Sequence, residues 1–406
     1  MKKIIFHYSK FNVGGAEMSN LRMMNVLVRK GWQVELVLNI GGGSLERQLD
    51  SRIKIVHLRN KAYITRHFLQ YDGIKLYLLC LIDYIPFILS KIRQLIYCIS
   101  YLFKHYDIAV VGLQGLNAYF ISKTVNAKLK LLWIRSDLTK SDLKGYVKRN
   151  ISKYNQYIDY YMCVSQTVYQ SLISIFPHLK LKAKVFYNIL DKNEMLEKSL
   201  LEQNPYFGYP KSIKIVTVCR MQEKSKGLFR MYSIYKQLKA ENYNIHWFLV
   251  GDGDDYSQLK QLINAEGNND GFILLGSKEN PFPYYKYADI SATLSYYEGL
   301  CGAINEAKVM SKCVIATECS GTREQIIDGK NGIIVNNDES SILSGMRLLL
   351  NNKELREKLK NDYLPAEIEN DEYKFFLLEQ LLSEKKNENL ISTGIKDSTD
   401  DYENNQ

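Results

Sequence analysis

Features that several classes of protein require are missing from this sequence of 406 residues. Its seven cysteines are odd in number and scattered, and no two of them form a Cys-x-x-Cys pair. Neither a disulfide framework nor a zinc site is therefore expected, and reduced thiols in a cytosol fit best. The six histidines form no metal-binding or catalytic-triad pattern. Of these, His7 alone lies on a strand aimed at the expected cleft, where a core role is favoured.

Long apolar runs are also missing. No window of 18 uninterrupted apolar residues occurs, so a transmembrane helix is not expected. The start of the chain leads directly into a short strand-like segment, residues 4–7, which is too short for the apolar core of a signal peptide. The most hydrophobic segment, residues 71–103, is interrupted by Asp83 and Pro86. It predicts a pair of helices, which either belong wholly to the core or lie partly in a membrane interface.

The net charge of +10 is unevenly distributed. Residues 1–190 carry 28 Lys and Arg against 10 Asp and Glu, or +18, which leaves −8 for residues 191–406. A basic half suggests nucleic acid or an anionic membrane surface as a partner. The basic residues are dispersed, and no helix-turn-helix, RNP or zinc-finger pattern occurs. The sequence therefore favours the membrane surface, and nucleic acid is the alternative.

The N-terminal residues predict a parallel βαβ unit. Residues 4–7 and 33–40 are apolar strands, and the turn at Gly14 and Gly15 opens the helix between them. Two glycines allow a ligand to approach the backbone near a helix N-terminus, although a simple tight turn also explains them. The Gly-Gly-Gly-Ser run at residues 41–44 lacks the lysine of a P-loop and is interpreted as a connector.

A second set of strands occupies the C-terminal half. Residues 213–219 are a continuous β-branched run, and Arg220 and Lys226 follow it six residues apart on a loop. A guanidinium and an ammonium so placed can bind both phosphates of a nucleotide diphosphate. A solvated charged loop is the alternative. The strand at residues 246–250 ends in the acidic, glycine-containing residues 251–255, which suggest either a metal site or a turn.

The most informative stretch surrounds two glutamates. Glu298 follows the strand-like residues 289–294, and Glu306 lies about one turn into a helix that opens at Gly302. Both carboxylates would flank a crevice at the carboxyl end of a parallel strand, where they could accept hydrogen bonds from a sugar or ribose. Ordinary solvated charges are the alternative. An anion or hydroxyl site is expected from the amides before and at the helix start: Gly299, Leu300, Cys301 and Gly302.

These motifs also occur in a distinctive order. Glu298 and Glu306 stand eight residues apart after a Tyr-Tyr pair, and Ile-Ala-Thr, Ser-Gly-Thr-Arg-Glu and Asp-Gly-Lys-Asn-Gly-Ile-Ile-Val follow them. Together with Gly-Gly-Ala-Glu near the N-terminus, this order resembles the retaining GT-B-fold glycosyltransferases of family 4. The resemblance covers about residues 1–380 and is strongest over residues 213–335.

The resemblance implies an α/β fold in which two Rossmann-like, doubly wound domains face each other across a cleft. Residues 1–190 would be the acceptor-binding domain, residues 191–365 the nucleotide-sugar-binding domain and residues 366–383 a terminal helix that crosses back to the first domain. Residues 384–406 are rich in Lys, Asn, Glu, Asp and Ser, and we expect them to be disordered.

Roles for individual residues also follow from the resemblance. The catalytic set would be Glu298, Arg220 and Lys226, of which the two cations neutralise charge on the leaving diphosphate. Glu306 would hold the ribose hydroxyls, and Glu298 the sugar hydroxyls together with the amides of residues 299–302. The amides of Gly14 and Gly15 would assist at the diphosphate.

On the acceptor side, relatives often carry a histidine where this chain reads Trp133-Ile134-Arg135-Ser136-Asp137, so Arg135 and Asp137 are the candidates here. Cys301 stands where relatives commonly have a small Gly or Pro, which bears on the loop shape and the choice of sugar. The acids of residues 251–255 would form a turn near the nucleotide, because divalent metal sites belong to a different transferase fold. We therefore expect no metal and no cofactor besides the donor substrate.

The resulting hypothesis is a retaining glycosyltransferase that uses a nucleotide diphosphate sugar, which is expected to be UDP-linked. Its acceptor is expected to be a lipid-linked saccharide in capsule, O-antigen or exopolysaccharide synthesis at the inner face of the plasma membrane. Two alternatives remain open: a nucleotide-sugar 2-epimerase of the same fold, and a binder of nucleotide sugars that has lost turnover.

Overall fold

Two parallel β-sheets form the centre of the protein. The computed structural model describes residues 1–59, 73–140, 144–267 and 271–392, and for residues 73–87, 144 and 388–392 it describes the backbone alone. The first sheet has the order β3-β2-β1-β4-β5-β6-β7. Its strands are β1 (Lys3–Tyr8), β2 (Gln33–Ile40), β3 (Lys54–Arg59), β4 (His105–Val111), β5 (Asn126–Ile134), β6 (Tyr160–Cys163) and β7 (Ala183–Val185).

The second sheet has the order β10-β9-β8-β11-β12-β13. Its strands are β8 (Ile213–Val218), β9 (Ile245–Val250), β10 (Phe272–Gly276), β11 (Ile290–Thr293), β12 (Cys313–Thr317) and β13 (Ile333–Val335). In both sheets the order reverses beside the first strand, at β1/β4 and at β8/β11. Ligands of doubly wound sheets bind at the carboxyl ends of strands beside such a reversal.

Helices connect the strands. In the first domain they are α1 (Gly15–Arg29), α2 (Gly73–Leu102), α3 (Lys144–Tyr154) and α4 (Gln166–Ile175). From the linker onward they are α5 (Lys192–Lys198), α6 (Glu223–Lys226), α7 (Leu228–Ala240), α8 (Tyr256–Glu266), α9 (Phe282–Tyr287), α10 (Gly302–Val309), α11 (Thr322–Gln325), α12 (Glu339–Asn351), α13 (Lys353–Leu359), α14 (Ala366–Glu369) and α15 (Asp371–Ser392).

The apolar character of the strands explains the architecture. In β1, Ile4, Ile5 and Phe6 are fully buried, because a parallel sheet covered by helices on both faces exposes neither side of a strand. The α/β fold class with two Rossmann-like domains, predicted from the sequence, is confirmed.

Two segments of chain join the domains and contact each other. The first is the linker after β7, and the second is α15, which returns to the first domain and packs against β5. The Asp371 carboxylate accepts hydrogen bonds from the amides of Leu190 and Asp191 at 3.1 and 2.8 Å. Lys374 Nζ donates to the carbonyl oxygen of Asn188 at 2.8 Å. The two crossings are therefore joined to each other by hydrogen bonds.

The end of the chain differs from its sequence-based prediction. Disorder was expected from residue 384, whereas α15 continues to Ser392, so that prediction is wrong for residues 384–392. An ion pair between Lys385 and Asp159 of the first domain, 3.0 Å long, contributes to holding this extension in place. Residues 393–406 lie outside the described residues.

The hydrophobic segment at residues 71–103 also differs. The prediction of two helices is wrong, because α2 is one continuous helix of 30 residues that runs through Asp83 and Pro86. Pro86 removes one backbone donor from the helix without ending it. Residues 71 and 72 lie outside the described residues. In the described parts of the chain, no helix has both the length and the apolar character required to cross a bilayer.

Candidate functional site

A cavity of about 500 Å³ lies between the two domains. Its walls come from loops at the carboxyl ends of strands in both sheets, including those after β1, β5, β8 and β11. The structure brings most of the predicted site residues to this one cavity: Gly14, Gly15, Arg135, Arg220, Lys226, Glu298, Gly299, Leu300, Cys301, Gly302 and Glu306. Asp137 does not line it.

An ion pair joins Lys226 to Glu298 in the second domain. Lys226 lies at the end of the short helix α6, where Gly227 takes a left-handed conformation with φ of 67° and separates α6 from α7. The same glutamate oxygen accepts a hydrogen bond from Ser295 Oγ at 2.7 Å. Burial alone would lower the pKa of Lys226, but the neighbouring Glu298 carboxylate raises it well above its ordinary value. Lys226 therefore stays protonated at physiological pH.

Arg220 supplies a second cation at the same cavity. It lies two residues after the end of β8 and is exposed. Lys226, rather than its neighbour Lys224, is the lysine of this loop that lines the cavity. Two fixed positive charges on one wall can bind a diphosphate, since each phosphate offers several acceptor oxygens.

Glu306 is held from both domains. Arg22 of α1 forms an ion pair with its Oε1 at 2.5 Å, and Tyr285 of α9 donates to Oε2 at 3.2 Å. The Arg22 and Glu306 side chains are 9% and 13% exposed. Burial, together with the Glu306 charge, raises the pKa of Tyr285, which remains a hydrogen-bond donor. This carboxylate has a fixed orientation at the edge of the cavity.

The loop from Gly299 to Gly302 packs against the first domain. A Cβ atom on Gly299 would lie 2.1 Å from the carbonyl oxygen of Arg135, so only glycine fits this contact between domains. Ser165 Oγ donates to the carbonyl oxygen of Gly299 at 2.8 Å. The Cys301 amide donates to Gln325 Oε1 at 3.2 Å. The expectation that all four amides of this loop face a ligand is therefore wrong for Cys301, because Gln325 already accepts from it.

Arg135 and Asp137 have different surroundings. The Arg135 guanidinium is half-buried and donates to the Gly112 carbonyl oxygen and to the side-chain oxygens of Asn188 and Asn20, at 3.1, 2.9 and 2.7 Å. Burial lowers its pKa. The Asp137 carboxylate accepts a hydrogen bond from the Thr139 amide. It also accepts one from Ser320 Oγ of the other domain, at 2.7 Å. The prediction that Asp137 faces the acceptor is wrong in this structure, because both its oxygens serve these hydrogen bonds outside the cavity.

Two charged residues of α1 that line the cavity were not predicted, Glu17 and Arg22. Burial raises the pKa of Glu17, whereas Arg135 and Arg220 oppose that rise. Its carboxylate covers Gly14, because a Cβ there would lie 2.4 Å from Glu17 Oε2. Glu17 belongs to the Gly-Gly-Ala-Glu run, which was a usable signal. The sequence contains no such signal for Arg22, because a single arginine on a helix cannot be distinguished from an ordinary solvated charge.

The acidic loop after β9 functions as a turn in this structure. Asp255 Oδ2 accepts a hydrogen bond from the Glu223 amide at 2.7 Å, which ties this loop to the start of α6. Across the described residues, no group of three or more His, Cys, Asp and Glu side chains is arranged to hold a metal ion.

Comparison with known proteins gives a family match in the second domain and relatives that share parts of the chain. Residues 202–363 match the family model described as Glycosyl transferases group 1. An uncharacterized glycosyltransferase of Methanocaldococcus jannaschii is 28% identical over 230 residues, which are 54% of this chain and 56% of that protein. The N-acetylgalactosamine-N,N'-diacetylbacillosaminyl-diphospho-undecaprenol 4-alpha-N-acetylgalactosaminyltransferase of Campylobacter jejuni is 27% identical over 194 residues, 47% of this chain and 51% of that protein. The chain thus matches about half the length of these relatives.

Solved structures resemble the whole chain. The crystal structure of Anabaena HepE in complex with UDP-glucose superimposes with a TM-score of 0.72 at 17% identity, over 96% of this chain and 100% of that one. This likeness establishes that the two domains have the GT-B arrangement.

Proposed function

We propose that this chain, whose residues 202–363 are a group 1 glycosyl transferase domain in a GT-B fold, transfers a sugar from a nucleotide diphosphate sugar to a saccharide acceptor. Membership of family 4 and retention of configuration at the anomeric carbon are part of the proposal. The observation that carries it is the shared cavity, where two cations, two oriented carboxylates and a glycine turn lie together.

The second domain would hold the leaving group. Arg220 and Lys226 would neutralise charge that develops on the diphosphate, and the amides of Gly14 and Gly15 would approach it from the first domain. Glu306 would accept hydrogen bonds from the ribose hydroxyls, and Glu298 would accept hydrogen bonds from the sugar hydroxyls. These contacts would fix the anomeric carbon relative to the acceptor.

The reaction breaks the bond between the anomeric carbon and the phosphate oxygen and forms a bond from that carbon to the acceptor oxygen. The acceptor proton passes to an oxygen of the leaving diphosphate. Attack on the same face that the phosphate leaves gives retention. Lys226 keeps its proton, so its role is to stabilise charge rather than to act as a base.

Two relatives support the finer points of the proposal. HepE forms complexes with UDP and UDP-glucose, which supports a UDP-linked donor here. The C. jejuni relative is named for an acceptor carried on diphospho-undecaprenol, which supports a lipid-linked saccharide and hence cell-surface polysaccharide synthesis. A lipid-linked acceptor fits a cytoplasmic enzyme bound peripherally to the inner face of the plasma membrane. We propose that neither a metal nor a further cofactor takes part.

A donor screen tests the proposal. The purified chain is incubated with UDP-, GDP- and other nucleotide sugars with and without saccharide acceptors, and released nucleotide and sugar products are measured. Wild type should release nucleotide from one donor class, and Lys226→Ala and Glu306→Ala should lose most of this activity. Lys224→Ala is the matched control, because Lys224 belongs to the same short helix, α6, but does not line the cavity.

The same screen separates the alternatives. A 2-epimerase would convert the donor sugar without any acceptor, and a silent binder would bind nucleotide without forming product. Either result would refute glycosyl transfer. Equal activity of Lys226→Ala and wild type would refute the assignment of the site.

A further inference from the structure

The second half of α2 exposes an apolar face. Its members recur every three or four residues, and each is between 41% and 78% exposed: Ile88, Leu89, Ile92, Leu95, Ile96, Ile99, Leu102 and Phe103, the last directly after the helix. At about 100° per residue they cover one side of the helix. Single exposed apolar residues are common on protein surfaces, whereas a continuous stripe of this size indicates an interaction site.

The opposite side of α2 anchors the helix to the first domain. Tyr101 is fully buried and donates to Glu35 Oε1 at 2.5 Å. Arg59 Nε donates to Gln94 Oε1 at 2.7 Å. These contacts fix the rotation of the helix about its axis. The exposed stripe is therefore a feature of the folded domain.

The charged residues in the second half of α2 and directly after it are all basic. Residues 88–104 contain Lys91, Arg93 and Lys104 but no Asp or Glu. On the helix, Lys91 and Arg93 fall on the two borders of the apolar stripe, one on each side. Long cationic side chains at such borders can lie along an apolar layer while their charged ends reach its polar boundary.

Helix α3 adds basic residues on the same face of the first sheet. Right-handed crossovers place α2, between β3 and β4, and α3, between β5 and β6, on the same face of the first sheet. The α3 sequence contains no acidic residue, and Lys148, Arg149 and Lys153 are exposed on it. Tyr146, at 36% exposure, adds an amphipathic ring.

We infer that this face, consisting of the apolar stripe of α2 and the cations of α3, is a docking surface for an anionic lipid bilayer. A second copy of the chain would bring the same cations against each other, whereas an anionic bilayer offers an apolar layer bordered by negative headgroups. The inference rests on the proposed function in one respect, because it names the surface from which a lipid-linked acceptor would be reached.

The position of α2 connects this surface with the cavity. Gln94 contacts Arg59 at the carboxyl end of β3, and Tyr101 contacts Glu35 near the start of β2. The second half of α2 therefore runs from the carboxyl edge of the sheet, where the cavity lies, towards the opposite edge. A bilayer along α2 would therefore extend to the edge of the sheet at which the cavity lies.

Vesicle flotation tests the inference with the full-length protein. Phosphatidylcholine vesicles with and without 30% phosphatidylglycerol are the probes, and the variants are the double substitutions Leu95→Glu with Ile96→Glu and Lys148→Glu with Arg149→Glu. Wild type should bind the anionic vesicles at least tenfold more tightly than neutral ones, and each double variant should lose at least tenfold of that binding. Phe207→Glu, at a residue 88% exposed but outside this surface, should bind like wild type.

The outcomes distinguish this inference from the proposed function. Nucleotide release with a water-soluble acceptor is measured for the same variants and should be unchanged, and circular dichroism checks that they are folded. Loss of vesicle binding with retained turnover supports docking. Binding of wild type to neutral and anionic vesicles alike, or no binding at all, overturns it and leaves the transferase assay to be judged separately. A dimer in analytical ultracentrifugation that Leu95→Glu with Ile96→Glu dissociates, while vesicle binding persists, would show that a second copy covers the stripe.

Discussion

At the scale of single residues, Glu306 connects the two domains. It accepts a hydrogen bond from Arg22 on α1 at one carboxylate oxygen and another from Tyr285 on α9 at the other. A carboxylate oxygen can accept more than one hydrogen bond, so Glu306 can keep both partners and still accept from a bound nucleotide. Arg22 thereby acts as a positioning residue for the donor site.

Replacing Arg22 with Met should raise the donor KM about ten- to a hundredfold, because it removes a charge-assisted hydrogen bond that orients Glu306. Arg22→Lys should recover part of the loss, and kcat should change less than KM in both variants. Steady-state kinetics with varied donor concentration measure the effect. As a control, Arg323→Met removes an exposed ion pair with Glu318, which is worth little. An unchanged KM in Arg22→Met would contradict the positioning role.

His7 makes stability sensitive to acid. Burial lowers its pKa from 6.5 to about 4, although the hydrogen bond to Asn39 opposes this. The unfolded chain takes up a proton near pH 6.5 while the folded chain does not, so the free energy of unfolding is highest above pH 6.5 and falls below it. His7 should account for a loss of about 2 kcal/mol between pH 7.5 and 5.

Urea unfolding of His7→Leu at these two pH values measures this contribution, and the variant should lose less stability on acidification than wild type does. His105→Leu, at an exposed position, provides the comparison. The same acid loss in His7→Leu and wild type would show that other groups are responsible.

Residues in the loop or the first helical turns after an apolar strand were predictable, because the strand ends of parallel sheets converge. Arg220, Lys226, Glu298 and Glu306 all reach the cavity for this reason. Asp137 was predicted wrongly, since its sequence position gives no information that Ser320 from the other domain would bond to it. The proposed roles of these residues remain predictions.

At the scale of elements, α15 is the helix that joins the end of the chain to the first domain. Leu378 is fully buried on it, whereas Phe376 is 61% exposed. Lys2 and Lys385 add ion pairs to Glu379 and Asp159. The helix is therefore part of the first domain's structure as well as a connection.

Leu378→Ala should lower the free energy of unfolding by about 2–5 kcal/mol, because it removes a buried side chain and leaves a cavity. Urea denaturation followed by circular dichroism measures the change. Phe376→Ala, on the same helix but exposed, should cost far less. Equal effects of the two substitutions would indicate that α15 is not packed as described.

The strands were more predictable than the helices. Continuous apolar runs marked β1, β2, β8 and β9 to within two residues. Helix ends depend on contacts that are distant in sequence. The extension of α15 involves Asp159, and the polar composition after residue 384 resembles a disordered tail until that contact is known.

At the scale of the whole molecule, contacts at the cleft hold the domains together. Glu324 of α11 accepts hydrogen bonds from the amides of Gln166 and Thr167 at 2.7 and 2.9 Å and from Tyr187 at 2.9 Å. It thereby caps the N-terminus of α4 from the opposite domain. The paired domains and their cleft were predictable from the order of motifs, but these contacts were not.

Glu324→Ala should favour an open arrangement, because it leaves the first amides of α4 without their acceptor. Small-angle scattering should show a larger radius of gyration than wild type in the absence of donor, and kcat should fall. Glu318→Ala is the control, since Glu318 pairs with Arg323 inside the second domain. A radius equal to that of wild type would show that Glu324 does not hold the domains closed.

The joined crossings at Asn188–Asp191 and Asp371–Lys374 restrict how the cleft can open. A single linker would permit twisting as well as bending, whereas two segments joined side by side favour bending about one axis. The acceptor and donor domains would then open about the same axis each time. Each closure would restore the ion pair between Arg22 and Glu306, because the domains return in the same orientation.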